Sequence, residues 1–101
     1  MQETIVAIAT APGVGAIGIV RLSGPAALDI AQGLFRASSS QFVTFKPRYL
    51  HHGQLYDGQG LFLDEALVVF MPGPHSFTGE DVFEFHCHGG TMVLAAFPST
   101  P

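Results

Sequence analysis

The chain is poor in cysteine, in basic side chains and in long apolar runs. It holds one Cys, no Trp, and only four Lys and Arg in 101 residues. A single Cys excludes an internal disulfide framework and fits a reducing compartment. Four cations against eight acids, for a net charge of −4, argue against autonomous nucleic-acid binding, which needs a basic face to displace counterions. No apolar run approaches the roughly 18 residues of a membrane span. The opening "MQETIVAIAT" lacks a basic segment and carries Glu3, so it does not read as a signal peptide. These absences together predict a cytoplasmic protein with no membrane partner.

What is present suits one small domain. Apolar residues make up 48% of the chain and include nine Phe. A chain this long buries roughly 65% of its unfolded surface. No internal repeat occurs, and Ser38–Ser40 is the one low-complexity stretch.

Gly13, Gly15 and Gly18 spell G-x-G-x-x-G, which in a dinucleotide-binding unit follows a strand and opens a helix. Residues 4–10 read as a strand. The segment after Gly18, "IVRLSG", is β-branched and closed by Ser-Gly, so residues 17–22 read as a second strand. The glycines are then a turn between strands.

The helix signal comes later. Ser23 or Gly24 stands as N-cap, Pro25 lies in the first turn, and Ala27, Ile30, Ala31 and Leu34 recur at helical spacing, which predicts a helix over 25–35. Residues 42–57 look extended, and "DGQG" at 57–60 is a hairpin turn. A returning strand, apolar on both faces over 66–71, follows. "PGPHSFTGED" is a loop, and "VFEFHCH" alternates as a strand. Gly89 and Gly90 open an apolar segment that reads as a second helix, stopped by Pro98. Short turns between most strands, with helices at two points, predict an α+β fold: a mixed β-sheet with flanking helices.

Three groups of residues could carry chemistry. Arg21 sits within an apolar strand and needs an anion or solvent. It is either a structural or surface cation or one that faces a ligand. Glu80 follows Gly79 in a turn-rich loop. It is either a solvated acid or an acceptor of paired N–H donors. Asp81 reads most simply as a local cap-like turn with Thr78. His86 and His88 share one strand face and, with His51 or His52, invite a zinc reading. A closed zinc site needs four ligands, and no paired CxxC or HxxxH accompanies them. Packing or capping roles are the alternative. No G-x-x-x-x-G-K-[ST] phosphate loop and no G-x-S-x-G elbow occurs. No catalytic residue is therefore assigned.

Three blocks, "TIVAIATAPGVGAIGIVRLSGPAA", "KPRYLHHGQLYD" and "DEALVVFMPGPHSFTGEDVFEFHCHGG", resemble the N-terminal domain of the MnmE (TrmE) family of tRNA modification GTPases. The resemblance covers roughly residues 4–90. It implies a fold like the tetrahydrofolate-binding domain of glycine-cleavage T-proteins. It also implies homodimerisation through this domain and binding of 5-formyltetrahydrofolate or a related reduced folate. The family's folate contacts include the Arg of its G-I-x-R-x-S-G strand, here Arg21, and the Glu of its T-G-E-D loop, here Glu80. Full-length members are potassium-stimulated GTP hydrolases that also use magnesium. With MnmG they modify the wobble uridine of certain tRNAs at C5.

After Gly90 the family pattern continues with a longer helix and an N-G-K-L segment whose Lys contacts folate. Here the chain reads "TMVLAAFPSTP". The expected organisation is an incomplete folate-binding domain over 1–90 and a divergent, truncated end over 91–101. No GTPase domain is expected within these 101 residues, and this chain alone is expected to be inactive as a hydrolase. The resemblance therefore leaves two functions open: a ligand-binding module, or a truncated fragment that retains only a structural or interaction role.

Overall fold

The structure, a computed structural model, describes residues 4–8, 18–74 and 79–88. Six strands and one helix are found among them. β1 is Ile5–Ile8, β2 Gly18–Ser23, α1 Ala27–Leu34, β3 Phe35–Ala37, β4 His51–Tyr56, β5 Phe62–Met71 and β6 Val82–Cys87. They form one sheet in the order β1-β2-β6-β5-β4-β3.

The two glycine-linked N-terminal strands pair antiparallel, Ala7 opposite Arg21. They form a ladder as expected for strands joined by a turn. The turn residues 9–17 lie outside the described residues, as do the proposed helix after Gly90, the end over 91–101 and Thr78.

Alternation divides the sheet into two faces. On the core face the buried side chains are Val20 and Leu22 of β2 and Phe83, Phe85 and Cys87 of β6; Ser23 and its register partner Val82 are buried on the other face. Helix α1 is amphipathic, with Ala27, Ala31 and Leu34 buried at i, i+4, i+7. These residues join Leu55, Ala66 and Val68 in one core. Rings of Phe35, Phe42 and Phe45 meet at centroid distances of 5.3–5.9 Å. Phe83 stacks on Phe70 at 4.6 Å.

Several expectations are corrected. Every ladder between named strands is antiparallel; among the described residues, parallel pairing is confined to an isolated bridge between Pro47 and Phe70. The sheet is therefore not mixed. Helix α1 does carry the chain from β2 to a strand of the same direction, β3, but three strands stand between them, so no parallel ladder forms.

The helix is shorter than predicted. Its first cap is Ala26, whose N–H donates to Thr4 Oγ1 at 2.9 Å. The helix has no side-chain cap, so neither Ser23 nor Gly24 serves as its N-cap; Thr4 instead anchors the backbone of the cap residue. Phe35 begins β3 rather than ending the helix. Residues 42–50 are irregular, and β4 starts only at His51. On β5, apolar on both faces over 66–71, only Ala66 and Val68 are buried, and Leu67 is 38% exposed, so one of its apolar faces is half-open.

Candidate functional site

Arg21 lies on the sheet face opposite α1, between Val20 and Leu22. Its register partner on β6 is Glu84. Arg21 Nε donates to Glu84 Oε2 at 3.0 Å, and Nη2 reaches the same oxygen. The pair is partly shielded, with the Arg21 side chain 33% exposed and that of Glu84 13%. The other carboxylate oxygen of Glu84 lies 3.4 Å from His86 Nε2. Cation, carboxylate and imidazole thus line up across β2 and β6.

Glu84 was not singled out from sequence. Its one signal is position: it falls between Phe83 and Phe85 and so faces away from the core. The pairing itself joins residues 63 apart in the chain, which local pattern does not reveal.

Glu80 stands at the base of the loop between β5 and β6. Asp81 clasps that loop: its Oδ1 accepts the Gly73 N–H at 3.1 Å, and its carbonyl accepts the Gly24 N–H at 3.1 Å. The Asp81 carboxylate therefore bridges the two ends of the loop; the cap-like turn expected with Thr78 lies outside the described residues. Gly79 has φ +79, a conformation that favours glycine. A Cβ on Gly73 would collide with the Gly79 carbonyl and come within 3.0 Å of Glu80 Cα. The loop ends are packed backbone to backbone, which fixes where Glu80 leaves the chain. Glu80 is half-buried and its Oε2 is shielded from solvent. It does not project freely as the loop composition suggested.

Glu80 and Glu84 are four residues apart, at most about 14 Å along the chain, and Glu84 holds Arg21. Arg21 thus lies on β2, and Glu80 lies in the loop two residues before β6, the strand whose Glu84 holds Arg21.

The histidines have separate partners. His88 Nδ1 lies 3.4 Å from Asp64 Oδ1, and its N–H donates to Asp64 Oδ2 at 2.6 Å. His52 Nε2 lies 3.2 Å from Glu65 Oε2. His51 is buried and its Nε2 accepts the Lys46 N–H at 2.9 Å; burial pushes its pKa down, a backbone hydrogen bond at Lys46 opposes this in part, and the Lys46 charge adds to the lowering. Cys87 is a buried core thiol, pushed up to about 12 by burial and then by the Asp64 charge. Among the described residues, no three His, Cys, Asp or Glu side chains gather to hold a metal, and no helix is long and apolar enough to cross a membrane.

A groove of about 600 Å³ opens elsewhere on the fold, lined by residues of the 37–52 segment. Neither Arg21 nor Glu80 lines it.

The chain is similar to known proteins over more than nine-tenths of its length. A tRNA modification GTPase MnmE of Nitratidesulfovibrio vulgaris (strain DP4) is 60% identical over 95 residues, covering 94% of this chain and 21% of the relative. Those of Lawsonia intracellularis (49% identical; 99% of this chain, 22% of the relative) and Syntrophus aciditrophicus (54%; 93% and 21%) are similar to it over the same extent. The chain thus spans about a fifth of the length of these relatives. Residues 4–100 match the family described as GTP-binding protein TrmE N-terminus, and the chain belongs to that family.

Proposed function

We propose that this chain is a reduced-folate-binding module of a tRNA modification GTPase, with Arg21 and Glu80 as its ligand contacts. The observation that supports the reading is that Arg21 of β2 is held by Glu84 of β6, the strand that the half-buried Glu80 leads into from the loop. A reduced folate has an N–H-rich pterin at one end and carboxylates at the other. Glu80 accepts paired pterin N–H donors, as a carboxylate does in bidentate contacts. Arg21, held by Glu84, meets an anionic group of the ligand. The module also dimerises. In a full-length protein it serves C5 modification of the wobble uridine, with GTP hydrolysis and MnmG supplied by other parts of the system. The chain carries no phosphate-loop motif, so by itself it hydrolyses no GTP.

The Arg21–Glu84 ion pair favours a second reading: a structural strut in a module that only makes protein contacts. Calorimetry with 5-formyltetrahydrofolate separates the two. On the folate reading the chain binds, and Glu80→Gln weakens binding by roughly 10- to 150-fold, the loss of a charge-assisted contact of ~1.5–3 kcal/mol. The Gln sets an N–H donor against the pterin's own donors. Arg21→Lys keeps the charge, loses only the planar fork, and weakens binding less. Equal affinity for all three proteins would discard both contacts and leave the structural reading.

A further inference from the structure

The cation that would meet the ligand's anion already has one. Arg21 turns toward Glu84 the guanidinium edge formed by Nε and Nη2, an edge that receives a carboxylate side-on. Glu84 presents there the same chemical group that a folate tail carries. A second carboxylate brought to Arg21 therefore meets a like charge beside the cation. Like charges placed together in a partly dry site repel strongly.

The pairing is also of a kind that can exchange. The strongest arginine–carboxylate contact uses two parallel bonds, one to each oxygen. Here Oε2 takes both guanidinium contacts, while Oε1 lies 3.4 Å from His86 Nε2. A ligand carboxylate that binds in parallel gains what this pair lacks. Glu84 keeps a neighbour when it yields, because His86 shares its strand face two residues on. The Arg21 side chain is 33% exposed, so an incoming group reaches it without opening the sheet.

We infer that Glu84 is an internal competitor for Arg21. It holds the guanidinium until a ligand carboxylate takes its place, and so it limits how tightly an anionic tail binds. This rests on the folate reading above. A residue that merely positioned Arg21 would have the opposite effect, since its loss would weaken binding.

Calorimetry on the native chain and on Glu84→Gln tests this. The probes are 5-formyltetrahydrofolate and 6-methyltetrahydropterin, a reduced pterin with no carboxylate. Glu84→Gln keeps the shape and removes the charge. Expected is folate binding about three- to tenfold tighter in Glu84→Gln, a gain that shrinks as salt rises. Pterin affinity should be the same in both proteins. In the native chain the pair is neutral, so folate affinity should not fall as salt rises. Equal or weaker folate binding by a Glu84→Gln protein that still melts cooperatively would overturn the competitor and leave the folate reading intact. A gain shared equally by the pterin would overturn it too, since no carboxylate would be involved. Folate affinity of the native chain that falls with salt would overturn it without any variant. Folate binding to neither protein would overturn both readings.

Discussion

Arg21 and Glu84 face each other across β2 and β6, and one carboxylate oxygen takes both guanidinium contacts. The pair ties the candidate ligand cation to the central strands of the sheet. A partly exposed pair contributes little by Coulomb attraction alone, but the 13% exposure of Glu84 lifts this one above a typical surface pair. A double-mutant cycle with Arg21→Ala and Glu84→Ala, read by urea unfolding, should give a coupling of about 0.5–1.5 kcal/mol. Coupling indistinguishable from zero would mean that the two side chains are held by the fold rather than by each other.

His51 makes stability depend on pH. Burial keeps its folded pKa below the ordinary value, so near pH 6 the unfolded chain binds a proton that the folded chain refuses. Protonation would also turn the Nε2 that accepts the Lys46 N–H into a donor facing a donor. The stabilisation is complete above the unfolded pKa, roughly 6.5, and is lost as pH falls below it toward the folded value. One group contributes at most about 1.4 kcal/mol per pH unit of slope. Urea midpoints between pH 7.5 and 5 should fall more steeply for the native chain than for His51→Gln. Parallel curves would show that His51 does not titrate with folding.

The period-2 and helical patterns made most elements legible. Ala27, Ala31 and Leu34 announce the buried stripe of α1, and Phe83 and Phe85 announce the core face of β6. What escaped was set by partners distant in sequence. The helix starts without a side-chain cap, and the N–H of its cap residue Ala26 is held by Thr4, 22 residues away, so nothing near Ser23 marks the true start. β3 has three residues and follows α1 without a turn signal; only pairing with β4 makes it a strand. For the site, family blocks pointed to Arg21 and Glu80. Glu84 and the Asp81 clasp depend on strand register and loop closure, which composition does not encode.

Cys87 should be chemically silent in the folded chain. Burial holds the thiol protonated, with its pKa pushed up to about 12, and the thiolate is the reacting species. Ellman's reagent at pH 8 should label less than a tenth of the thiol in the native protein within minutes. It should label one thiol per chain in guanidinium. Rapid labelling without denaturant would mean that β6 opens far more readily than its packing against β2 and β5 implies.

Gly53 on β4 is the position where the sheet tolerates no side chain. It pairs with Ala37 on β3, and the Phe35 ring lies over it. A Cβ there would meet the Arg36 carbonyl and come within 2.6 Å of Phe35 Cζ. Phe35 cannot simply swing away, because its ring packs against Phe42 and Phe45. The backbone carbonyl is fixed by the β3–β4 ladder. Gly53→Ala should therefore destabilise by about 1–3 kcal/mol, the usual cost of overpacking, although alanine favours neither more nor fewer strand hydrogen bonds. Gly58, at the 57–60 turn, has open space around its Cβ position, and Gly58→Ala should change stability by less than about 0.5 kcal/mol. Urea unfolding of the two variants side by side gives the contrast. A Gly53→Ala protein as stable as Gly58→Ala would mean that β3 does not lie against β4 as described, and that the edge of the sheet beside the groove is built differently.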